Sequence, residues 1–245
     1  MGLKNKQCVC FLDDIMSGSI TFDGMIDNLR AVFDRILQSK MLLKPSKCEF
    51  FKQKIKFLGV IIDKNGISPC PEKVDSIVKM SPPTSVKGVR SFLGMASFFR
   101  RWVEGFSLIA EPLSRLTKKN VRFEWNDETR KAWQTIKDKL AAAPVLAHPD
   151  LDKPFWLITD ASAYGIGAIL AQKDGNGKMH PVSYGSTILN ATQRRWSTVQ
   201  RELYALVHFC DKYSNFLLGT EFMVLSDNKT LLHLDNFKAT KNNRL

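Results

Sequence analysis

The sequence predicts an α/β protein of the α+β multidomain kind, and three observations predict it. Short strand-like runs broken by tight turns occupy the first 70 residues, helical apolar spacing follows, and strands mixed with helices return from residue 155 onward. With 245 residues, 44% of them hydrophobic, the chain is long enough to bury cores in one large domain or two smaller ones. The expected boundaries are 1–70, 71–143, a linker at 144–154, and 155–245.

Gln7–Met16 reads as strand, acidic turn at Asp13-Asp14, and second strand. Ile26, Leu29, Val32, Phe33, Ile36 and Leu37 then recur at helical spacing behind a cap at Thr21. Lys54–Asp63 reads as one strand, and Asn65-Gly66 is a hairpin turn signal because both residue types tolerate positive φ. Pro71 suits the first turn of a helix that Ser81-Pro82-Pro83 ends. From Ser85 to Ala143 the apolar residues recur every three or four positions, which predicts a small helical bundle, with Asn126 capping its last helix. Pro144, Pro149 and Pro154 punctuate an irregular linker. Strands are expected at Phe155–Asp160, Tyr164–Gln172, Lys178–Tyr184 and Phe222–Ser226, with a helix over Thr198–Tyr213 and another from Lys229. That βββαβα order is the grammar of a mixed sheet domain.

Lysine and arginine number 36 against 24 acidic residues, a net charge of +12, which favours polyanionic partners through attraction and counterion release. A generically basic protein would share this charge. Five scattered cysteines without a Cys-x-x-Cys pair exclude the usual zinc spacing and predict a reduced, intracellular protein, with Cys8 and Cys10 packed in a strand. The sequence shows no apolar run that would span a membrane and no lipid-attachment pattern. The histidines lack HExxH spacing and read as structural or surface residues.

Two carboxylate sets carry chemistry. Asp13 and Asp14 sit at a hairpin tip, where paired acids offer hard oxygen ligands to a divalent cation, although an Asp-Asp turn is often only a turn. Asp160 ends a strand, Glu202 lies in an amphipathic helix and Asp227 follows another strand. Strand-end acids joined by a helical third can assemble a two-metal site. A helical glutamate is by default a solvated acid, so this reading depends on all three together.

FLDD at Phe11–Asp14, KCEF at Lys47–Phe50, KFLGVII at Lys56–Ile62, VRSFLGMASFFRRWVEGFSLIAEPLSRL at Val89–Leu116, APVLAHPD at Ala143–Asp150 and TDASAYGIGAIL at Thr159–Leu170 follow one another along nearly the whole chain. In that order they resemble the reverse transcriptase and ribonuclease H region of gypsy-type LTR retrotransposons. The resemblance implies part of a polymerase palm with its hairpins, a helical thumb, and a C-terminally truncated RNase H-like mixed sheet. It implies RNA-directed DNA polymerase (nucleotidyltransferase) and RNase H (endonuclease, hydrolase) ancestry with Mg2+ in two-metal sites. Asp13 and Asp14 are similar to the polymerase pair, with Phe11 where tyrosine is usual, and Asp160, Glu202 and Asp227 to the nuclease acids.

Phe57, Leu58 and Gly59 are similar to the primer grip, and Arg90, Arg100 and Arg101 lie in the thumb-like stretch, where they either touch phosphates or form a solvated face. The implied partners are an RNA–DNA hybrid, an RNA template with DNA primer, and oligomers with other retroelement polyprotein products. The third polymerase aspartate and the last RNase H elements are not in the sequence. Both activities are therefore expected to be impaired, and the alternative reading is a non-catalytic nucleic-acid-binding remnant.

Overall fold

A computed structural model describes residues 7–227, and the chain divides into two compact units at the boundary between Phe57 and Leu58. In the first unit, β1 (Cys8–Phe11) and β2 (Asp14–Ser17) pair antiparallel with Phe11 opposite Asp14, leaving Leu12 and Asp13 as the loop. Leu12 carries φ +49°, a conformation that Cβ sterics disfavour for such a side chain. Helix α1 (Phe22–Gln38) starts where the Thr21 hydroxyl accepts the Gly24 N–H at 3.2 Å, and it turns Val32 and Ile36 onto Cys8. This core is small. Phe22 stacks on Phe51 and Phe33 meets Phe50 edge-on, so the larger apolar residues of the unit cover one another while staying open to water. The strand β3 (Lys54–Phe57) closes the unit.

The second unit begins with the hairpin of β4 (Val60–Asp63) and β5 (Gly66–Pro69). Its loop is Lys64-Asn65, one residue earlier than the Asn65-Gly66 signal, because the Asp63 carboxylate accepts the Asn65 N–H at 2.8 Å and Gly66 takes φ +142° opposite Asp63. The helices α2 (Pro71–Val78), α3 (Val86–Phe98), α4 (Phe106–Ile109), α5 (Glu111–Leu116) and α6 (Asp127–Ala141) follow. Val89, Phe92, Leu113 and Ile136 are fully buried among them, as their spacing requires. Asn126 and Thr129 cap α6 reciprocally, each side chain accepting the other's backbone N–H.

Then come β6 (Phe155–Ala161), β7 (Gly165–Lys173), β8 (Met179–Ile188), α7 (Thr198–Lys212), α8 (Ser214–Leu217) and β9 (Phe222–Leu225). The sheet order is β8-β7-β6-β9, antiparallel except that β9 runs parallel to β6, with α7 in the crossover between β8 and β9. Phe155, Leu157, Leu170 and Phe209 fill the core under α7. Gly185 is required there: a Cβ would stand 2.6 Å from the Phe209 ring and 2.7 Å from the Tyr213 hydroxyl.

The helices also hold β8. Arg100 donates to the Ser186 carbonyl at 2.9 Å, Arg101 to the Val182 carbonyl at 3.3 Å, and the Ser107 N–H to the Ser186 hydroxyl at 2.8 Å. The stretch after α6 is pinned as well, since Leu146 forms an antiparallel bridge with Ile67, is completely buried, and is followed by an Ala147 N–H bonded to the Pro181 carbonyl.

Two further expectations change in detail. Lys54–Asp63, which reads as one strand, is two, because Leu58 (φ +49°) and Gly59 (φ +81°) turn the backbone between them. The third sheet strand runs on to Ile188 rather than ending at Tyr184. The helix expected from Lys229 lies outside the described residues. Among the described residues no helix is long and apolar enough to cross a membrane.

Candidate acidic metal centre

The parallel pairing of β6 with β9 places Ile158 opposite Leu225, so Asp160 and Asp227, each two residues further on, leave adjacent strand ends side by side. Helix α7 crosses β6 and carries Glu202 to the same end. One ligand oxygen from each of Asp160, Glu202 and Asp227 lies within 4.8 Å of the others. Beside them a shallow cavity of about 320 Å³ is lined by Ile158, Thr159, Asp160, Leu225, Ser226 and Asp227.

The three acids are not alike. Asp160 and Asp227 face solvent, whereas Glu202 is only 2% exposed. One Glu202 oxygen accepts the Ala161 N–H at 3.2 Å, and the other is buried without a hydrogen-bond partner among the described residues. Burial first, then the charges of Asp227 and Asp160, push the Glu202 carboxyl above its ordinary range, while the Ala161 N–H pulls the other way. An orphaned buried oxygen beside two further carboxylates is what a hard divalent cation satisfies, and these donors fit one.

Asp13 and Asp14 are exposed at the β1–β2 tip, next to Phe11, itself 53% exposed. Phe57 ends β3 in the first unit. Leu58 and Gly59 form the turn that opens the second, with the Lys73 side chain close to Gly59. Arg90 donates to the Thr117 carbonyl at 3.0 Å and stays exposed. For Arg100 and Arg101 the structure adds a use that their spacing did not show, the grip on β8. Arg101 is half-buried over the Trp102 ring, and burial lowers its pKa. His148, His180 and His208 bond to the Asp63 carbonyl, the Asp174 carboxylate and the Thr187 hydroxyl respectively, and none of them joins the acidic cluster.

Sequence comparison gives two family matches. The model for reverse transcriptase (RNA-dependent DNA polymerase) matches residues 2–62, and that for the RNase H-like domain found in reverse transcriptase matches residues 125–224. The chain carries a reverse transcriptase segment and an RNase H-like segment of the kind found in reverse transcriptase, and it is similar to retrotransposon polyproteins.

Its relatives include the retrovirus-related Pol polyprotein from transposon 297 of Drosophila melanogaster, 35% identical over 96% of this chain and 22% of that polyprotein. The Tf2-3 transposon polyprotein of Schizosaccharomyces pombe is 31% identical over 99% of this chain and 18% of its own length. The chain thus spans about a fifth of the curated relatives it matches. A solved foamy viral protease-reverse transcriptase dRH in complex with double-stranded DNA shares the fold at TM-score 0.83 and 24% identity, over 97% of this chain and 42% of that one. A second, in complex with an RNA/DNA hybrid, gives 0.79 at 24% identity, over 96% and 32%. Asp13 and Asp14 fall inside the reverse transcriptase match, Asp160 and Glu202 inside the RNase H-like match, and Asp227 just beyond its end.

Proposed function

We propose that the Asp160–Glu202–Asp227 centre is an RNase H site that cleaves the RNA strand of an RNA–DNA hybrid with Mg2+, and that Asp13 and Asp14 belong to the metal site of an RNA-directed DNA polymerase. The observation that carries the nuclease reading is a buried Glu202 carboxylate, one oxygen of which has no partner among the described residues, grouped with two solvent-exposed aspartates. Bound there, paired divalent ions supply an activated water and charge stabilisation for the leaving oxygen. Glu202 fixes the inner wall through its bond from the Ala161 N–H, and Asp160 and Asp227 complete the ligand set on the open side, where a strand of nucleic acid has access.

Template, primer and hybrid are the substrates that this reading assigns to the segment. Phe11 and the Phe57–Leu58–Gly59 stretch are assigned to contact with the primer, and Arg90 to phosphate, with Arg100 and Arg101 sharing that role with their hold on β8. The basic balance of the chain supports a polyanionic partner.

The test is cleavage of a labelled hybrid in Mg2+ by the chain beside Asp160→Asn and Glu202→Gln. Each substitution removes a ligand, and the expected loss is about a hundredfold or more. Equal cleavage by all three proteins would overturn the assignment. Hybrid binding with no cleavage by any of them would leave a nucleic-acid-binding segment without nuclease chemistry.

A further inference from the structure

Between β8 and α7 the chain passes through Leu189 and a short turn, Gln193–Arg195, that presents Arg194 and Arg195 to solvent. The Arg194 Nε donates to the Leu189 carbonyl at 3.0 Å, and its guanidinium carbon stands 5.4 Å from the centre of the Tyr164 ring. Tyr164 lies in the turn joining β6 to β7 and is 65% exposed. Its backbone is nonetheless fixed: its carbonyl accepts the Leu189 N–H at 2.9 Å, and its N–H donates to the Ser162 hydroxyl at 3.2 Å. Leu189 is buried and tethers both partners, one through its N–H and the other through its carbonyl.

The result is a guanidinium placed over an aromatic ring at cation–π distance, both anchored at the backbone and both exposed to water. Among the described residues no carboxylate forms an ion pair with Arg194 or Arg195. A solvent-facing pair of this kind contributes little to folding. It is better suited to holding a guanidinium ready for a ligand, because the ordering cost is met before binding.

The place is informative as well. Gly167 stands opposite Asp160 in the sheet and is three positions on from Tyr164, so at strand spacing the ring is rooted roughly 10 Å from that aspartate. Each strand of a duplex presents a phosphate about every 3.4 Å of its axis. A duplex seated on the acids therefore carries backbone phosphates past Arg194 within a few base steps.

We propose that the Arg194–Tyr164 cation–π pair is a backbone-phosphate contact that positions a nucleic-acid strand on the acidic centre. It rests on the RNase H reading for the identity of the duplex, and the contact itself is sequence-independent. Arg194 is a positioning residue here, acting on the phosphate chain away from the reacting bond.

The experiment is anisotropy of a fluorescent RNA–DNA hybrid bound to the chain in EDTA, over a range of salt concentrations, for the wild type, Arg194→Gln, Arg194→Lys and Tyr164→Leu. Losing one phosphate contact lowers the slope of log affinity against log salt by about 0.7–0.9 and weakens binding roughly three- to tenfold, equally for different sequences. Arg194→Lys restores the slope because it restores the charge. Tyr164→Leu keeps the charge, and so the slope, but binds more weakly because the guanidinium loses the ring that helps hold it in place.

Unchanged affinity and slope in Arg194→Gln would overturn the proposal. So would weaker binding with an unchanged slope and a lowered melting temperature, which is the mark of a structural role. Because EDTA silences cleavage, a chain that binds hybrid yet never cuts it in Mg2+ defeats the nuclease reading while leaving the slope difference standing. A wild-type chain that does not bind hybrid at all overturns both.

Discussion

Aspartates end strands in both compact units, and what surrounds them differs. Asp13, in a two-residue hairpin loop, and Asp14, at the start of β2, are supported by one helix and a core of Cys8, Val32 and Ile36. Asp160 and Asp227 leave neighbouring strands of a sheet whose core includes Phe155, Leu157, Leu170, Phe209 and Leu217, and a helix seated on that core brings in Glu202. In the first unit the carboxylates are free to take their ordinary hydration. In the second, one of them is buried beside two others, an arrangement that costs energy in the absence of a cation. The contrast shows that the residues packed behind the acids, more than the acids themselves, set how strongly a site calls for a metal.

The largest expected effect comes from removing that backing. Phe209→Ala deletes a fully buried ring beneath α7 and should cost about 3–5 kcal/mol, read as a fall in the denaturant midpoint together with weaker divalent-ion binding at the acidic centre. Val32→Ala in the first unit trims a smaller side chain from a thinner core and should cost less. An equal cost at both positions would erase the distinction drawn between the units.

A smaller effect follows from Glu202. Its folded carboxyl titrates above the ordinary value of 4.5, so above that pH the folded chain binds more protons at this position than the unfolded chain. In EDTA the stability of the wild type should therefore fall as pH rises from 4.5 through the raised folded pKa, and Glu202→Gln should remove that fall. At neutral pH the metal-free variant should melt about 2–4 °C higher than the wild type, and Mg2+ should raise the melting temperature of the wild type alone. A variant that melts lower in EDTA would mean that the buried carboxylate is already compensated. The smallest effect is expected at the hairpin tip. Leu12→Gly relieves a positive φ worth about 1 kcal/mol, visible as slower amide exchange in β1 and β2.

Much of this was legible in the sequence, for identifiable reasons. Thr21 and Asn126 were expected as caps and are caps, because capping needs only a side-chain oxygen at one local position. Val89, Ile136 and Leu140 were legible as core because helical spacing reports a buried face directly. The break at Leu58-Gly59 was hidden, since an apolar run reads as one strand when only a backbone angle interrupts it. The burial of Glu202 was hidden too: a helical glutamate gives no sign of which neighbours exclude water from it. Lys137, buried with its ammonium on the Met80 carbonyl and 3.8 Å from the centre of the Trp133 ring, reads in the sequence as one more surface lysine. The cation–π pair of Arg194 and Tyr164 joins residues 30 positions apart, beyond the reach of any local pattern.

The proline-marked stretch from 144 to 154 read as a loose connector, but its backbone is engaged along much of its length. Leu146 bridges Ile67, Ala147 bonds to Pro181, and the Gln172 amide bonds to the backbone at Asp150 and Lys153. A protease needs several consecutive residues drawn out into its cleft, and these are already engaged on both sides. Trypsin should therefore leave the helical bundle and the mixed sheet joined as one piece.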